Sequence, residues 1–481
     1  MRLHHAPQAT TLAVMGKRNG AMSAGNPPEA VAQSVVVPED FANRIAARFR
    51  LKPGETPRLV FHAGPGDAAG SFDHWLAGRH DPRIPIMAYS TQFYALVDQL
   101  GAEAHVITER HDPPQGHHPR IRFTPIPRDR TRHGLGWHAA QNRYAWQVVW
   151  HIRKLKPHAV VMGIDLPAWA FAALPRKTAL ILTIHNTFWP MGHGRGGIKT
   201  RIRQGLAGLG LRRFTAAICT SPECARQLSI LTGRQSGLFV QMPQIPHEHL
   251  PKRRQPLHLR QLLNRWRLRA DTDVQNNLFV EMPQIPLAHL PAHHQPMEAR
   301  NLLFLGRIEA DKGVFDLLEA FSNLAARHDD INLTIAGTGT ALDALREAAA
   351  ASPYAARIDI PGRLDADGVA QALQNADLLV CPTRSEFNEG LALVIVESAA
   401  AGVPSVASSV VPAHEHVPDG CAVYPADDTQ ALEDTLARLI EDPDAFGALV
   451  AGTAPIRTQV LDRNASWGSQ LARALLYPER G

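Results

Sequence analysis

Residues 378–381 read Leu-Leu-Val-Cys, an apolar run of strand length, and a polar loop follows at once. The loop ends on Glu389-Gly390, after which apolar residues at Leu393, Val396 and Ala400 carry the chain out as a helix. Strand, glycine loop and helix N-terminus in that order confine the chain to an α/β layer with the loop at its edge. Gly390 lets backbone approach a ligand closely, and the free N–H groups of the first helical turn can hold a phosphate. Glu389 and Glu397 bracket seven residues. Being negative, neither suits the phosphate itself. As acceptor-only groups they suit neutral polyols such as a sugar and a ribose. The competing reading is a helix with one buried and one exposed glutamate.

The rest of the chain repeats this alternation. Residues 1–55, rich in Ala, Pro, Asn and Gln, read as a poorly ordered extension, with one short amphipathic piece (DFANRIAARFRL) and later methionines at Met15 and Met22. From Arg58 the segment RLVFHAG is a strand, followed by a glycine-rich loop with Gly64, Gly66 and Gly70. A helix over 91–100 and a strand over 104–108 complete a βαβ opening. Strands at 159–164, 180–184 and 216–221 extend a parallel sheet. His185 stands just after the strand 180–184, at the edge where open α/β sheets place ligands; a loop or cap histidine is the plainer alternative.

A second unit begins at residue 301. Its first strand ends at Gly306, Arg307 follows, and Lys312 comes five residues later at the head of a helix. Two cations at a strand–loop–helix junction suit a diphosphate, since Arg takes two oxygens at once while Lys acts as a point charge. Solvated loop cations are the bland alternative. The strand INLTIAG with Gly337, a helix over 340–351, the strand IDIPG and a helix over 365–375 lead into the glutamate motif. The strands VPSVAS and CAVYP and a helix over 428–441 follow, and SWGSQLARALL (466–476) closes the chain as an amphipathic helix.

Between the units lies an internal repeat: 237–256 returns as 277–296 with thirteen of twenty positions identical. Two copies do not make a solenoid. Only one can supply the last strand of the first sheet, so the segment 251–297 reads as a duplicated Pro-rich connection. Composition narrows the functional classes. Length allows two cores, and no run nears the ~18 apolar residues of a spanning helix. The N-terminus has too broken an apolar core for a secretory signal. Cys219, Cys224, Cys381 and Cys421 fit buried thiols in a reduced, cytosolic compartment. A net charge of +5 fits anionic ligands or an acidic membrane surface, and no basic stripe with interleaved aromatics argues for nucleic acid. The 24 histidines are scattered, and His414 and His416 read as solvated loop residues rather than metal ligands. Asp271/Asp273, Asp365/Asp367 and Asp442/Asp444 read as surface acids. Residues 196–214 place Ile198, Ile202, Leu206 and Leu209 on one side among Lys199, Arg201, Arg203, Arg212 and Arg213. Such a helix either packs its stripe on its own domain or rests on an anionic membrane.

The EGLALVIVE run resembles the E-x7-E motif of retaining GT-B glycosyltransferases of the Group 1 (family 4) class. Members usually read E-G-F-G where this chain reads Glu389-Gly390-Leu391-Ala392. The resemblance is specific over about 297–455, looser over 58–225 and absent in 1–55. It implies two Rossmann-like, doubly wound parallel-sheet domains facing a cleft: an acceptor domain over 56–250 and a nucleotide-sugar domain over 298–460. A last helix within 461–481 would cross back to the first domain. It implies retaining transfer from a nucleotide-diphosphate sugar to a hydroxyl of a saccharide or lipid-linked glycan, with no cofactor and no metal. The site it implies has Arg307 and Lys312 on the diphosphate, Glu389 on the sugar, Glu397 on the ribose and His185 across the cleft. Gly306, Gly337, Gly390, Leu391 and Ala392 would line the donor, and Gly64, Gly66 and Gly70 would face it from the acceptor side. The implied place is the cytoplasm, with peripheral contact at the inner membrane face. The rivals are a non-catalytic sugar-nucleotide binder, which Leu391 and Ala392 keep open, and another enzyme of the same architecture such as an epimerase or phosphorylase.

Overall fold

Two all-parallel sheets carry the chain. The computed structural model describes residues 35–81, 84, 86–250 and 298–478. The first sheet holds β1 (Arg58–His62), β2 (Glu103–Thr108), β3 (Ile121–Pro125), β4 (Ala159–Gly163), β5 (Ala179–Ile184), β6 (Ala216–Cys219) and β7 (Leu238–Val240). The second holds β8 (Asn301–Leu305), β9 (Asn332–Ala336), β10 (Ile358–Gly362), β11 (Leu378–Cys381), β12 (Ser405–Ser408) and β13 (Cys421–Tyr424). Their orders are β3-β2-β1-β4-β5-β6-β7 and β10-β9-β8-β11-β12-β13. Each is doubly wound, so strand order reverses between β1 and β4 and again between β8 and β11. Crevices open at the carboxyl ends of the strands at such reversals, and ligands bind there.

Period-two alternation explains the layers. In β1, Leu59 and Phe61 join one core while Val60 joins the other. The first core takes α1 (Phe41–Phe49), α2 (Ala68–Leu76) and α3 (Tyr89–Leu100). The second takes α4 (Gly134–Leu155), α5 (Ala168–Ala173), α6 (Ile198–Leu211) and α7 (Pro222–Thr232). In the C-terminal domain α8 (Val314–Ala325), α9 (Leu342–Ala351), α12 (Thr429–Glu441) and α13 (Pro443–Gly452) cover one face. The other face carries α10 (Ala366–Asn375), α11 (Leu393–Ala401) and α14 (Ala454–Gln459). The chain then returns: α15 (Trp467–Leu476) buries Trp467, Leu471 and Leu475 in the first domain's core. Each such side chain is worth roughly 2 kcal/mol, so the last helix ties the two domains firmly.

Several sequence readings change. Residues 41–49 are not part of a poorly ordered extension. Phe41 and Ile45, one helical turn apart, are buried against α15, and Arg50 closes the helix in the left-handed conformation. Residues 1–34 lie outside the described residues. The helix α4 and the strand β3, neither read from the sequence, complete the first domain. The first copy of the repeat supplies the edge strand β7, then crosses to the second domain, where Met242 and Ile245 are buried. The second copy and the 251–297 connection lie outside the described residues. His414 and His416 are half-buried and partnered rather than free in solvent: His414 Nδ1 lies 2.7 Å from the Val411 carbonyl, and His416 Nε2 lies 3.0 Å from the Thr220 carbonyl across the domains. All four cysteines are free and buried. Among the described residues no helix is long and apolar enough to cross a membrane.

Candidate active site

The wall of the second domain is built by close backbone approach. After β8, a short 3-10 turn (Ala310–Lys312) leads to Gly313, whose φ of 69° places any added Cβ onto the Pro382 carbonyl. Only glycine fits, and the contact seats the head of α8 on the end of β11. Arg384 Nη1 reaches Asp316 on α8 at 2.8 and 2.9 Å, fixing the loop after β11 to the same helix. These constraints bring the Lys312 ammonium into an ion pair with Glu389, both side chains nearly enclosed. The Phe387 ring lies under both cations, 3.8 Å from Lys312 Nζ and 5.2 Å from the Arg307 guanidinium. Gly337, with φ 150°, packs against the Gly306 carbonyl, and Gly339 against that of Ile308. Leu391 is buried in the core beneath the loop. Ala392 adopts φ 63°, ψ 71° and starts α11; its carbonyl accepts the Ile395 N–H at 3.0 Å, and the earlier N–H groups of the turn have no side-chain cap. Glu397 is half-buried on α11; burial alone pushes its carboxyl up to about 7.

Where the domains meet, Gly390 sits directly on the His185 backbone. A Cβ there would strike the His185 carbonyl and approach Asn186 Oδ1 to 2.7 Å. Thr187 Oγ1 donates to the Glu389 carbonyl at 3.0 Å, and Cys224 Sγ to that of Gly390 at 3.7 Å. The Glu415 carboxylate accepts the Glu223 N–H of α7 at 2.9 Å. His185 stacks on Tyr89 with ring centroids 5.1 Å apart. Desolvation by these neighbours pushes its imidazole down to about 4, with Asp165 opposing. The ring keeps open surface toward the cleft. Water there tempers the shift, and the direction, a neutral imidazole at pH 7, is the part that bears on chemistry.

The opposing wall lines a cavity of about 630 Å³, within the usual range for small-ligand sites. Gly64, with φ 63°, and Gly66 line it beside Asp67, Asp165, His185 and Asn186. Gly70 does not: it lies in the first turn of α2, where its N–H donates to the capping Asp67 carboxylate at 2.9 Å. Beneath the loop stands a network that no sequence motif announced. Arg128 Nη1 reaches Asp165 Oδ2 at 2.5 Å and Glu109 Oε1 at 3.1 Å, and Arg130 closes on Glu109 at 2.8 Å. Buried His62 places Nε2 2.7 Å from Tyr144 Oη, while Nδ1 lacks a hydrogen-bond partner, with Asp165 3.9 Å away. Burial keeps this histidine neutral.

Thus Arg307, Lys312, Glu389, Gly306, Gly337 and Gly390 share one junction, and His185 meets it across the cleft. No hydrogen bond or ion pair joins Glu397 to Glu389 or Lys312; it sits just over one turn along α11. Phe387, Gly313, Tyr89 and Asn186 escaped the sequence reading. Phe387, Gly313 and Asn186 each stand one or two residues from a residue already singled out, a usable signal; Tyr89 gives none. Among the described residues no three His, Cys, Asp or Glu gather as a metal site. Asp365 and Asp442 instead cap α10 and α13.

Comparison with known proteins agrees with this arrangement. Residues 299–442 match the profile of the "Glycosyl transferases group 1" family and residues 86–240 that of the "Glycosyl transferase 4-like domain". The chain is 31% identical over 172 residues to the alpha-D-kanosaminyltransferase of Streptomyces kanamyceticus, covering 35% of this chain and 43% of that protein. It is 30% identical over 154 residues to a GDP-mannose-dependent monoacylated alpha-(1-6)-phosphatidylinositol monomannoside mannosyltransferase of Corynebacterium glutamicum, covering 31% and 40%. The matched region spans less than half the length of these relatives. Anabaena Alr3699/HepE, solved in complex with UDP, superposes with a TM-score of 0.55 at 15% identity over 88% of this chain and 99% of that one. The two doubly wound sheets are therefore a GT-B fold, and the chain belongs to the group 1 glycosyl transferases.

Proposed function

We propose that this protein transfers a hexosyl group from a nucleotide-diphosphate sugar to a hydroxyl of a saccharide or lipid-linked acceptor, with retention and without a metal ion. The observation that carries it is the Lys312–Glu389 pair over Phe387, beside the uncapped N-terminus of α11 and facing His185. Relatives point the same way: one is named as GDP-mannose-dependent, and a structural neighbour holds UDP.

On donor entry Lys312 exchanges Glu389 for the diphosphate, Arg307 joins it, and the α11 N–H groups complete the anion site. Glu389, released, accepts hydrogen bonds from the sugar, and Glu397 from the ribose. The bond between the anomeric carbon and phosphate oxygen breaks, its electron pair leaving on the diphosphate. The acceptor oxygen bonds the anomeric carbon on the same face, and its proton passes to the leaving phosphate. Neutral His185 contacts the sugar without adding positive charge beside the oxocarbenium-like centre. Cations held in place before reaction are worth ~3 kcal/mol each in rate.

Melting temperature with UDP, GDP and ADP, in wild type and Lys312→Ala, with and without chelator, tests the reading. At a hundredfold excess over Kd the true nucleotide adds ~2.7 kcal/mol. The shift should survive chelation and fade in the variant. Absence of any shift, or one lost on chelation, overturns the metal-free diphosphate site. Slow donor hydrolysis without acceptor separates an enzyme from a mere binder.

A further inference from the structure

The net charge of the chain is concentrated in one place. Between Asp129 and Glu223 the sequence carries fourteen lysines and arginines against one carboxylate, Asp165. The remainder of the chain holds more acid than base, although the total is 50 Lys and Arg against 45 Asp and Glu. None of the helices α4, α5 and α6 contains an Asp or Glu. All three pack on the same face of the first sheet, with α5 between its two neighbours.

That face is also where apolar surface is exposed. Nine of the thirteen large exposed hydrophobic side chains among the described residues lie on these three helices. On α6, Ile198, Ile202, Leu206 and Leu209 are 57–77% exposed. The stripe does not pack on its own domain, the commoner outcome for such a helix. Gln204, Gly208 and Leu211 do that instead: Gly208 presses on the Leu231 carbonyl and Gly210 on that of Ala168, so the helix sits low with its stripe outward. On α4, Trp146 and Trp150 are 60% and 51% exposed one turn apart, flanking a groove closed by Pro125 and Pro127. Trp169 of α5 bridges to α4 through Asn142 Oδ1 at 2.7 Å. Exposed Arg143, Arg153, Lys154, Lys199, Arg201 and Arg203 surround these side chains.

From this juxtaposition we infer that the α4–α5–α6 face docks on an anionic lipid bilayer. Aliphatic side chains and tryptophans enter the headgroup boundary while the surrounding cations meet lipid phosphates. A contiguous apolar patch of this kind marks an interaction surface rather than scattered exposure. Charge selects the partner. A second copy of the chain would set cations against cations, and a nucleic acid would leave the aliphatic stripe wet. The inference stands apart from the sugar-transfer reading. It would place the loop of His185 to Thr187, which leads into α6, near the lipid surface.

The test is flotation of the full chain with vesicles of phosphatidylcholine alone and with roughly one-third phosphatidylglycerol, at about 0.15 M salt. Binding is expected only to the anionic vesicles. Ile202→Asp with Leu206→Asp, and separately Lys199→Glu with Arg203→Glu, should each weaken it about tenfold or more. These side chains are exposed, so an unchanged melting temperature certifies the fold. Brominated lipids should quench tryptophan fluorescence in wild type and less in Trp146→Phe with Trp150→Phe. No flotation with anionic vesicles, equal flotation of the variants, or a concentration-dependent dimer closing this face in place of lipid binding would each overturn the inference.

Discussion

Both walls of the cleft begin with glycines, and they use them differently. In the second domain Gly313, Gly337, Gly339 and Gly390 each abut a carbonyl oxygen, so a side chain at any of them collides with backbone. In the first domain a Cβ on Gly64 meets nothing within 4 Å, and one on Gly66 meets only the Ala63 carbonyl at 3.8 Å. Gly64 is needed for its φ of 63°, Gly66 for neither reason. One wall is shaped by backbone pressed on backbone. The other is shaped by side chains that Arg128 gathers from β1, α4 and the segments after β2 and β4.

Alanine scanning of the glycines should break along this line. Gly390→Ala drives a methyl into the His185 carbonyl, which cannot yield without parting the domains at the proposed reaction site. A displacement of about 1 Å there costs on the order of 100-fold in turnover. Because α15 still ties the domains, the melting temperature should fall only modestly. Gly66→Ala should leave turnover and stability within about 0.5 kcal/mol of wild type. Equal loss in both variants, measured as donor turnover and by thermal unfolding, would erase the distinction.

The side-chain wall has its own weak point. Arg128 is nearly enclosed and serves two carboxylates. Arg128→Ala takes the enclosed partner from Glu109, and removing one member of a buried pair costs about 3 kcal/mol, while Asp165, with a third of its side chain exposed, is screened by water and adds little. Arg130 still neutralises Glu109, which keeps the loss at the lower end. Urea unfolding measures it. A loss below ~1 kcal/mol would mean that Arg130 alone compensates Glu109.

The same contrast explains what could be read in the sequence. Arg307, Lys312, Glu389 and Gly390 are legible because each lies in the short loop between a strand end and the next helix, so local spacing places them. The doubly wound sheets were legible for the same reason. His62, Tyr144, Arg128 and Asp165 are not, since the His62–Tyr144 contact joins residues 82 apart and Arg128–Asp165 residues 37 apart. Only the topological reversal between β1 and β4 brings them together. Gly70 misled because a glycine run does not show where loop ends and helix begins; the Asp67 cap decides it. The sequence left two outcomes open for the basic helix α6, and Gly208 and Gly210 decide between them by seating the face opposite its stripe.

The pH response separates the walls more gently. Glu397, raised to about 7, holds its proton more tightly in the native state, so its contribution to stability is lost as pH rises through about 4.5 to 7. His185, lowered to about 4, acts in the opposite sense: its contribution is present above 6.5 and lost as pH falls toward 4. Stability therefore mixes the two, whereas nucleotide affinity does not. On the proposed ribose contact only an ionised Glu397 would accept both hydroxyls, so affinity should fall about tenfold from pH 8 to pH 6. Glu397→Gln should bind more weakly and flatten the profile, as isothermal titration across that range would read. A profile retained in Glu397→Gln would move the titration elsewhere in the cleft.

The smallest effect bears on the one place where the backbone-built wall departs from its own rule. Ala392 occupies the left-handed region, which favours glycine, at the place of the last glycine in the E-G-F-G pattern this loop resembles. An L-residue there carries ~1–2 kcal/mol of strain, and glycine would relieve it while losing roughly 0.5–1 kcal/mol more entropy on folding. Ala392→Gly should therefore gain about 0.5 kcal/mol in urea unfolding, with nucleotide affinity unchanged because the helix N–H groups keep their direction. A clear loss of stability would show that packing of the alanine methyl, not loop geometry, holds residues 389–393. The wall would then owe less to backbone conformation than Gly313 and Gly390 suggest.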